Sequence, residues 1–229
     1  AQESDEGFVI TGDVTIPGNV VIMCSNGTYT GRIVIGEGAN VSLSGQIVDT
    51  AAELLVRGTL HVTPSGIVQG EDGMEILIDS GYVNVSRLEI AETGTVNNEG
   101  AITTDNAADE TAGQYSVMVD GKLTNNGHMY CTSLRHSGYY EMTNRGYLRI
   151  GEESTDNGVL LLSASQDGTV ISTGTLYVYG RMEMSGGKMS VEGYMECTNA
   201  VINAQLDIFS TVEVSDVLDI QSGSVYVGG

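Results

Sequence analysis

The residues best suited to binding chemistry are tyrosines in short segments that alternate apolar and polar residues. In Gly174-Thr-Leu-Tyr-Val178, for example, alternation places the apolar side chains on one face and Tyr177 on the other. A tyrosine ring on a rigid outer face can stack on a sugar ring or anchor a protein partner. The alternative is that these tyrosines cover a strand surface without binding anything. The candidate ligand-binding residues are Tyr147, Tyr177, Tyr179, Tyr194 and Tyr226.

Carboxylates are abundant, but their arrangement does not match a catalytic site. A glycosidase needs two carboxylates that face each other across the sugar, one of them with a raised pKa. The adjacent acids Glu71-Asp72, Asp109-Glu110 and Glu152-Glu153 lie in connectors, where charged residues are normally solvated. The sequence contains no Gly-x-Ser-x-Gly segment and no phosphate-binding loop. We therefore assign no catalytic residue and expect a protein that is not an enzyme.

Metal and cysteine patterns are equally uninformative about chemistry. Neither the EF-hand spacing nor the Gly-Gly-x-Gly-x-Asp nonapeptide occurs, and although acids such as Asp105 and Asp109 could gather around Ca²⁺, no ligand set can be named. We assign no metal site and no cofactor.

The three cysteines form no Cys-x-x-Cys pair, and alternation places Cys131 and Cys197 on the apolar side of their segments. We expect these two thiols to be buried and inert.

The charge balance restricts the class of partner. The 229 residues include Lys+Arg 9 and Asp+Glu 30, which gives a formal net charge of −21. Such a surface repels polyphosphate, so a nucleic-acid or anionic-membrane partner would need a basic patch. The nine cations are scattered between Arg32 and Lys188 and form no such patch, so we expect no nucleic-acid partner. No apolar stretch approaches the ~18 residues needed to span a bilayer. The opening Ala1-Gln-Glu-Ser-Asp-Glu6 is typical of the mature side of a signal-peptide cleavage site, or of an excised domain.

The elements that position the tyrosines are indicated by a repeated unit, Gly-x-h-x-h, in which h is apolar. The clearest copies are 174–178, 180–184, 187–191 and 193–197, which start about six or seven residues apart. Strict alternation predicts strands with one buried face, and a glycine at each boundary is expected to supply a positive φ at a corner. The predicted interior residues are Leu176, Val178, Met182, Met184, Met189 and Met195, and the predicted outward residues are Thr175, Tyr177, Arg181, Glu183 and Glu196.

Three such corners per coil predict an all-β, single-stranded parallel β-helix (a β-solenoid) with three short strands and roughly 19 to 21 residues per coil. We expect one domain over residues 1–229, with irregular coils in 7–167 and regular coils in 168–229. About eleven coils at the ~4.8 Å strand spacing would form a rod about 50 Å long. Asn-Gly pairs at 26–27, 126–127 and 157–158 are hairpin signals, so an antiparallel sandwich is the alternative.

Asparagines recur near the corners, in Asn97-Asn98, Asn125-Asn126 and Asn144. Stacked asparagines can hydrogen-bond from coil to coil as a ladder. They are also common turn residues, and their positions alone do not separate the two interpretations.

The repeated unit resembles that of right-handed parallel β-helix proteins, which include pectate-lyase-like proteins, bactofilins and bacterial surface adhesins. The resemblance is clear over 168–229 and looser over 7–162. It implies a right-handed coil and a bacterial surface protein. The family also includes polysaccharide lyases and glycosidases, but the Asn-Thr-Asp and Gly-His-Gly segments of polygalacturonase-type enzymes are missing. Pectate lyases place an arginine or lysine beside a bound Ca²⁺, and this chain has only two lysines, Lys122 and Lys188. Against the bactofilins, the coils here are irregular and unusually acidic.

These observations lead to the expectation of a non-catalytic, secreted or cell-surface protein, adhesin-like or a structural stalk, whose partner is a glycan or a host or cell-surface protein. The alternatives are a polysaccharide-binding or polysaccharide-degrading β-helix and, third, a bactofilin-like intracellular polymer. The repeat extends to Val227, so we expect further coils beyond Gly229 or end-to-end self-association of the open strand edge. The acidic residues 1–7 could shield the opposite end.

Overall fold

The computed structural model describes residues 2–4, 7–16, 21–24, 32–36, 38–43, 46–49, 53–56, 59–62, 67–70, 75–78, 82–85, 88–90, 92, 95–104, 108–164 and 168–228. Within these ranges the regular elements are all β-strands. In chain order they are β1 (Gln2–Ser4), β2 (Gly7–Ile10), β3 (Asp13–Ile16), β4 (Val21–Cys24), β5 (Arg32–Ile35), β6 (Asn40–Leu43), β7 (Gln46–Asp49), β8 (Glu53–Val56), β9 (Thr59–Val62), β10 (Ile67–Gly70), β11 (Glu75–Ile78), β12 (Tyr82–Val85), β13 (Leu88–Ile90), β14 (Thr95–Asn98), β15 (Ala101–Thr104), β16 (Val117–Val119), β17 (Lys122–Asn125), β18 (His128–Cys131), β19 (Ser133–His136), β20 (Met142–Asn144), β21 (Tyr147–Ile150), β22 (Gly158–Ser163), β23 (Thr169–Ser172), β24 (Thr175–Gly186), β25 (Lys188–Val191), β26 (Tyr194–Ile202), β27 (Gln205–Ile208), β28 (Thr211–Ile220) and β29 (Ser224–Val227).

The strands form long parallel sheets in which, from β2 to β21, a strand pairs with the strand three places later in the chain, and from β22 onward with the strand two places later. The first ladder runs β2-β5-β8-β11-β14-β17-β20-β23-β25-β27-β29, and the antiparallel β1 pairs with the outer edge of β2. The second ladder runs β3-β6-β9-β12-β15-β18-β21 and the third β4-β7-β10-β13-β16-β19-β22. Both continue through β24, β26 and β28, each of which is long enough to serve the two ladders. This order is compatible with a β-helix, whereas an antiparallel sandwich would pair neighbouring strands in opposite directions.

The length of chain between stacked partners varies more than the sequence predicts. Lys188 pairs with Gln205, a step of 17 residues, and Leu123 pairs with Met142, a step of 19. Met142 pairs with Val170, a step of 28, because the exposed turn at 152–157 and the segment before β23 lengthen that coil. Extra residues leave the parallel pairing intact because they are added between strands and not within them.

Two predicted strands of the regular region are continuous in the structure. The units 174–178 and 180–184 lie in one strand, β24, and the register of its pairing with β26 shifts between Val178 and Arg181. The predicted corner is therefore a bulge, in which an extra residue bends the strand without ending it. Gly180 at this bend has φ 142°, and a Cβ there would lie 2.2 Å from the carbonyl oxygen of Gly158.

The corner glycines between the first and second ladders have a different role from the one predicted. Gly127, Gly146, Gly174 and Gly193 do not adopt positive φ, unlike Gly151 and Gly187. Instead, a Cβ at each would lie 2.1 Å from the carbonyl oxygen of the stacked glycine one coil earlier, which for Gly127 is Gly100. Glycine is required in this column because the coils approach too closely for any side chain.

The core lies between the ladders and follows the predicted alternation. The six predicted interior residues are all buried, and the five predicted outward residues are each partly exposed. Cys131 and Cys197 are free and buried, as predicted, and burial raises the pKa of the Cys197 thiol to about 11. The side chain of Cys24 lies outside the described part of the chain.

The asparagines form a buried ladder from coil to coil, which decides between the two interpretations left open by the sequence. The Nδ2 atom of Asn98 donates to Oδ1 of Asn125 at 2.6 Å, and Nδ2 of Asn125 donates to Oδ1 of Asn144 at 2.8 Å. Asn144 continues the ladder to the hydroxyl of Ser172 at 3.2 Å. The same amides donate to backbone carbonyls at the start of the second-ladder strands, and Asn125 reaches the carbonyl oxygen of Tyr147 at 3.1 Å. The ladder thus fixes both the stacking of the coils and the starting points of these strands.

Neighbouring residues in β24 test the alternation. We expect Leu176→Asp to unfold the surrounding coils, because it removes roughly 1.5–3 kcal/mol of apolar burial and adds a buried carboxylate without a partner. Thr175→Asp, with its side chain on the outer face, is expected to change the free energy of unfolding by less than about 0.5 kcal/mol. Urea denaturation followed by circular dichroism measures both, and equal effects would contradict the assigned register.

Adjacent asparagines test the ladder. We expect Asn125→Ala to lower the free energy of unfolding by about 2–5 kcal/mol, because it leaves the buried Oδ1 of Asn144 and the carbonyl of Tyr147 without their donor. Asn126 is only half-buried and bonds to the exposed carboxylate of Glu99. Asn126→Ala is therefore the matched control, with an expected loss below about 1 kcal/mol. The same urea titration distinguishes them, and a ladder without energetic value would make the two variants alike.

Candidate binding surface

The outer face of the second ladder carries two columns of side chains that the parallel register aligns. Strands β18, β21, β24 and β26 each begin with an outward residue and place a second outward residue two positions later. The first column is His128, Tyr147, Thr175 and Tyr194, and the second column is Tyr130, Arg149, Tyr177 and Glu196. Five of these eight side chains are aromatic rings.

These rings form a continuous surface that we call the aromatic row, which consists of His128, Tyr130, Tyr147, Tyr177, Tyr179 and Tyr194. The ring centroids of Tyr147 and Tyr177 are 5.6 Å apart, and those of Tyr177 and Tyr194 are 5.7 Å apart. Tyr179 stacks on Tyr177 with an interplanar angle of 15°. At the other end, the ring of Tyr147 lies 5.8 Å from His128 and 5.6 Å from Tyr130. These distances are typical of aromatic pairs that attract one another, so the row crosses four strands as one surface.

The structure brings together four of the five tyrosines selected from the sequence. Tyr147, Tyr177, Tyr179 and Tyr194 all lie in the row, whereas Tyr226 lies in β29 of the first ladder. Tyr226 is 59% exposed, and its ring lies 6.1 Å from that of Phe209. All three ladders use the same alternation, so the pattern identifies an outward residue but not the ladder to which it belongs.

The sequence analysis missed His128, Tyr130 and Arg149 as members of this surface. His128 and Tyr130 occupy the outward positions of Gly127-His-Met-Tyr-Cys131, so the alternation that selected Tyr177 could also have found them. The guanidinium carbon of Arg149 lies 4.9 Å from the ring centroid of Tyr130, a cation–π contact. Its Nη2 atom is also 3.2 Å from Oε1 of Glu152. Arg149 was missed because the candidates were chosen among aromatic and acidic side chains.

Carboxylates border the end of the row that is farther from His128. The hydroxyl of Tyr194 donates to Oε2 of Glu196 at 3.0 Å, and Glu213 occupies the same column on the next strand. Desolvation, the hydrogen bond to Glu196 and the negative charges of Glu196 and Glu213 raise the pKa of Tyr194 above its ordinary value. Desolvation and the charges of Glu153 and Glu196 likewise raise the pKa of Tyr179. We call Glu153, Glu196 and Glu213 the acidic border.

Each pair of adjacent acids that lies in the described residues has one member bound to an arginine. Glu110 forms an ion pair with Arg181, and Glu152 forms one with Arg149. Asp105 and the pair Glu71-Asp72 lie outside the described residues. Among the residues that are described, no group of three His, Cys, Asp or Glu side chains could hold a metal ion. The chemistry available at the aromatic row is ring stacking, hydrogen bonding by tyrosine hydroxyls, and attraction by carboxylates.

Comparison with protein-family models, with curated proteins and with solved structures found no match for this chain. Within the described ranges, no helix has the length and apolar character needed to cross a bilayer.

The electrostatic link between Tyr194 and its carboxylates can be measured directly. We expect Glu196→Gln to lower the pKa of Tyr194 towards the ordinary value of about 10, because the substitution removes a negative charge and keeps an acceptor oxygen. Glu183→Gln, a half-exposed charge on the third ladder, is the control and should leave that pKa unchanged. A titration of ¹³Cζ-labelled tyrosine by NMR, assigned with Tyr194→Phe, gives the values. An unchanged pKa in Glu196→Gln would contradict the described contact.

Proposed function

We propose that this chain is a non-catalytic, secreted or cell-surface β-solenoid with an adhesin-like or stalk function, and that the aromatic row is the surface that contacts its partner. The observation that carries the proposal is the row itself, six rings on four parallel strands, five of them aligned by the register and the sixth, Tyr179, stacked on Tyr177. Aromatic side chains with a polar edge are the residues that most often anchor ligands and protein partners.

A right-handed solenoid is the architecture that best accounts for the ladders. The chain returns to each ladder after it has contributed one strand to each of the other two. About 98% of the connections between parallel strands of one sheet are right-handed. We expect small-angle X-ray scattering to give an elongated particle about 50 Å long, because stacked strands are spaced by ~4.8 Å. An isotropic particle would contradict the solenoid.

Rigidity supports a role in presentation. The asparagine ladder bonds to the carbonyls of His128, Tyr147 and Thr175, so the backbone beneath the row is fixed before any partner arrives. A surface that is already ordered loses less conformational entropy on binding.

The ion pairs of the adjacent acids support a binding role over hydrolysis. Glu110 and Glu152, one member of each described adjacent pair, form ion pairs with Arg181 and Arg149, so an arginine already occupies the carboxylate that a sugar would have to reach. The acidic composition and the resemblance to surface β-helices support the proposed location.

Polysaccharide binding is the second candidate, and the pairing of Tyr194 with Glu196 favours it. A sugar ring can stack on tyrosine while its hydroxyls donate to a neighbouring carboxylate, and this arrangement combines both groups at 3.0 Å. The two candidates use the same surface and differ in the partner.

The test is a screen of the purified chain against a glycan array and intact bacterial or host cells, with and without Ca²⁺. We expect the double variant Tyr147→Ala/Tyr177→Ala to lose binding at least tenfold, and the control Tyr226→Ala, from the first ladder, to retain it. Binding that is insensitive to the double variant would overturn the proposal, as would cleavage of a bound glycan. Filaments in electron micrographs would favour the bactofilin-like alternative.

A further inference from the structure

We propose that the partner of the aromatic row is cationic, and specifically an extended polypeptide segment that presents lysine or arginine side chains. This inference rests on the proposed function, because it requires the row to be a binding surface, and it adds the chemical class of the ligand. Three observations carry it: a guanidinium already bound within the row, the distribution of charge around the row, and the spacing of the rings.

Arg149 is an internal example of the recognition that we propose. It occupies the second column between Tyr130 and Tyr177, and its guanidinium packs on the Tyr130 ring at 4.9 Å. No described lysine or arginine lies over the rings of Tyr177, Tyr179 or Tyr194. The far half of the row therefore presents the same type of ring surface without an internal cation.

Charge distinguishes the two halves of the row. Arg149, already paired with Glu152, lies near Tyr130, whereas the acidic border of Glu153, Glu196 and Glu213 lies near Tyr179 and Tyr194. A cation placed over Tyr177 or Tyr194 would be attracted by both the ring and the carboxylates, and an anion would be repelled by both. A neutral sugar would gain stacking and hydrogen bonds but nothing from the charge. The net charge of −21 also steers cationic partners towards this surface.

The spacing of the rings suits an extended peptide. Side chains on the same face of a β-strand repeat every ~6.6–6.8 Å. Successive rings of the row are 5.6 to 5.8 Å apart between Tyr147 and its neighbours His128 and Tyr177. The peptide spacing exceeds the ring spacing by about 1 Å per repeat, and over a few repeats the flexible stems of lysine and arginine can compensate for this mismatch. A peptide with a basic residue at every second position could therefore place one cation between successive rings.

The test measures the binding of a fluorescein-labelled (Lys-Thr)4 peptide to the full chain by fluorescence anisotropy, over a series of NaCl concentrations. We expect the double variant Tyr147→Leu/Tyr177→Leu, which keeps every charge, to weaken binding at least tenfold. The double variant Glu196→Gln/Glu213→Gln should weaken it to a similar extent and reduce its dependence on salt. The control Glu141→Gln/Asp219→Asn removes the same number of exposed charges away from the row and should bind like the unaltered chain. Urea unfolding of each variant verifies that its fold is intact, and the glutamate variants, which alter outer-face side chains only, keep the test valid if the tyrosine variant fails to fold.

The outcomes separate this inference from the proposed function. If the glutamate variants and their control bind the peptide equally, the attraction is non-specific and the inference is wrong. If the aromatic row binds a neutral glycan on the array and not the peptide, the inference is wrong and the proposed function stands. If substitutions in the row change the binding of neither glycan, cell nor peptide, both are wrong.

Discussion

The constraint on which the rest of this structure depends is the contact between coils at the corner that joins the first ladder to the second. This corner repeats as Asn98-Glu99-Gly100, Asn125-Asn126-Gly127 and Asn144-Arg145-Gly146. In the second and third copies the two residues after the asparagine donate their backbone N–H groups to the asparagine carbonyl of the coil before, at 2.8 and 2.9 Å for Asn126 and Gly127. The asparagine side chain points into the core and hydrogen-bonds to the asparagine of the next coil. The glycine, which has no side chain, lets the backbones of successive coils approach closely. One tripeptide thus satisfies the buried polar groups and permits the close approach.

The geometry of the aromatic row follows from this corner. His128, Tyr147 and Tyr194 each come directly after a corner glycine, and the N–H group of each donates to the carbonyl of the glycine one coil earlier. The asparagine amides hold the carbonyls of His128 and Tyr147 from the other side. Because the backbone of His128 and of Tyr147 is bonded at both its N–H and its C=O group, the stacking of the coils sets where these two rings start from the sheet.

Alternation was sufficient to predict which residues are inside, because it depends only on the two-residue period of a strand. It placed Leu176 and Met195 in the core and Tyr177 outside. The same local pattern could not predict how the coils are joined. The bulge at Gly180 in place of a corner, the 28-residue step from Met142 to Val170, and the position of Tyr226 on another ladder all depend on pairing between distant segments. For the same reason the sequence could not distinguish an asparagine ladder from ordinary turn asparagines, because only the pairing of distant strands shows that Asn125 lies next to Asn98. Alternation also places Arg149 on the outer face, but its contact with the Tyr130 ring depends on the pairing of β18 with β21.

The coils differ in the length of their connectors, whereas the parallel pairing of their strands is the same throughout. The long step from Met142 to Val170 is followed by a 19-residue step from Thr169 to Lys188, so the added turn at 152–157 is absorbed within a single coil. Duplication of a coil would lengthen the row by one strand in register, whereas an insertion in a connector would change only the rim beside it. Evolution of this fold could therefore vary the extent of the aromatic surface and the loops around it independently.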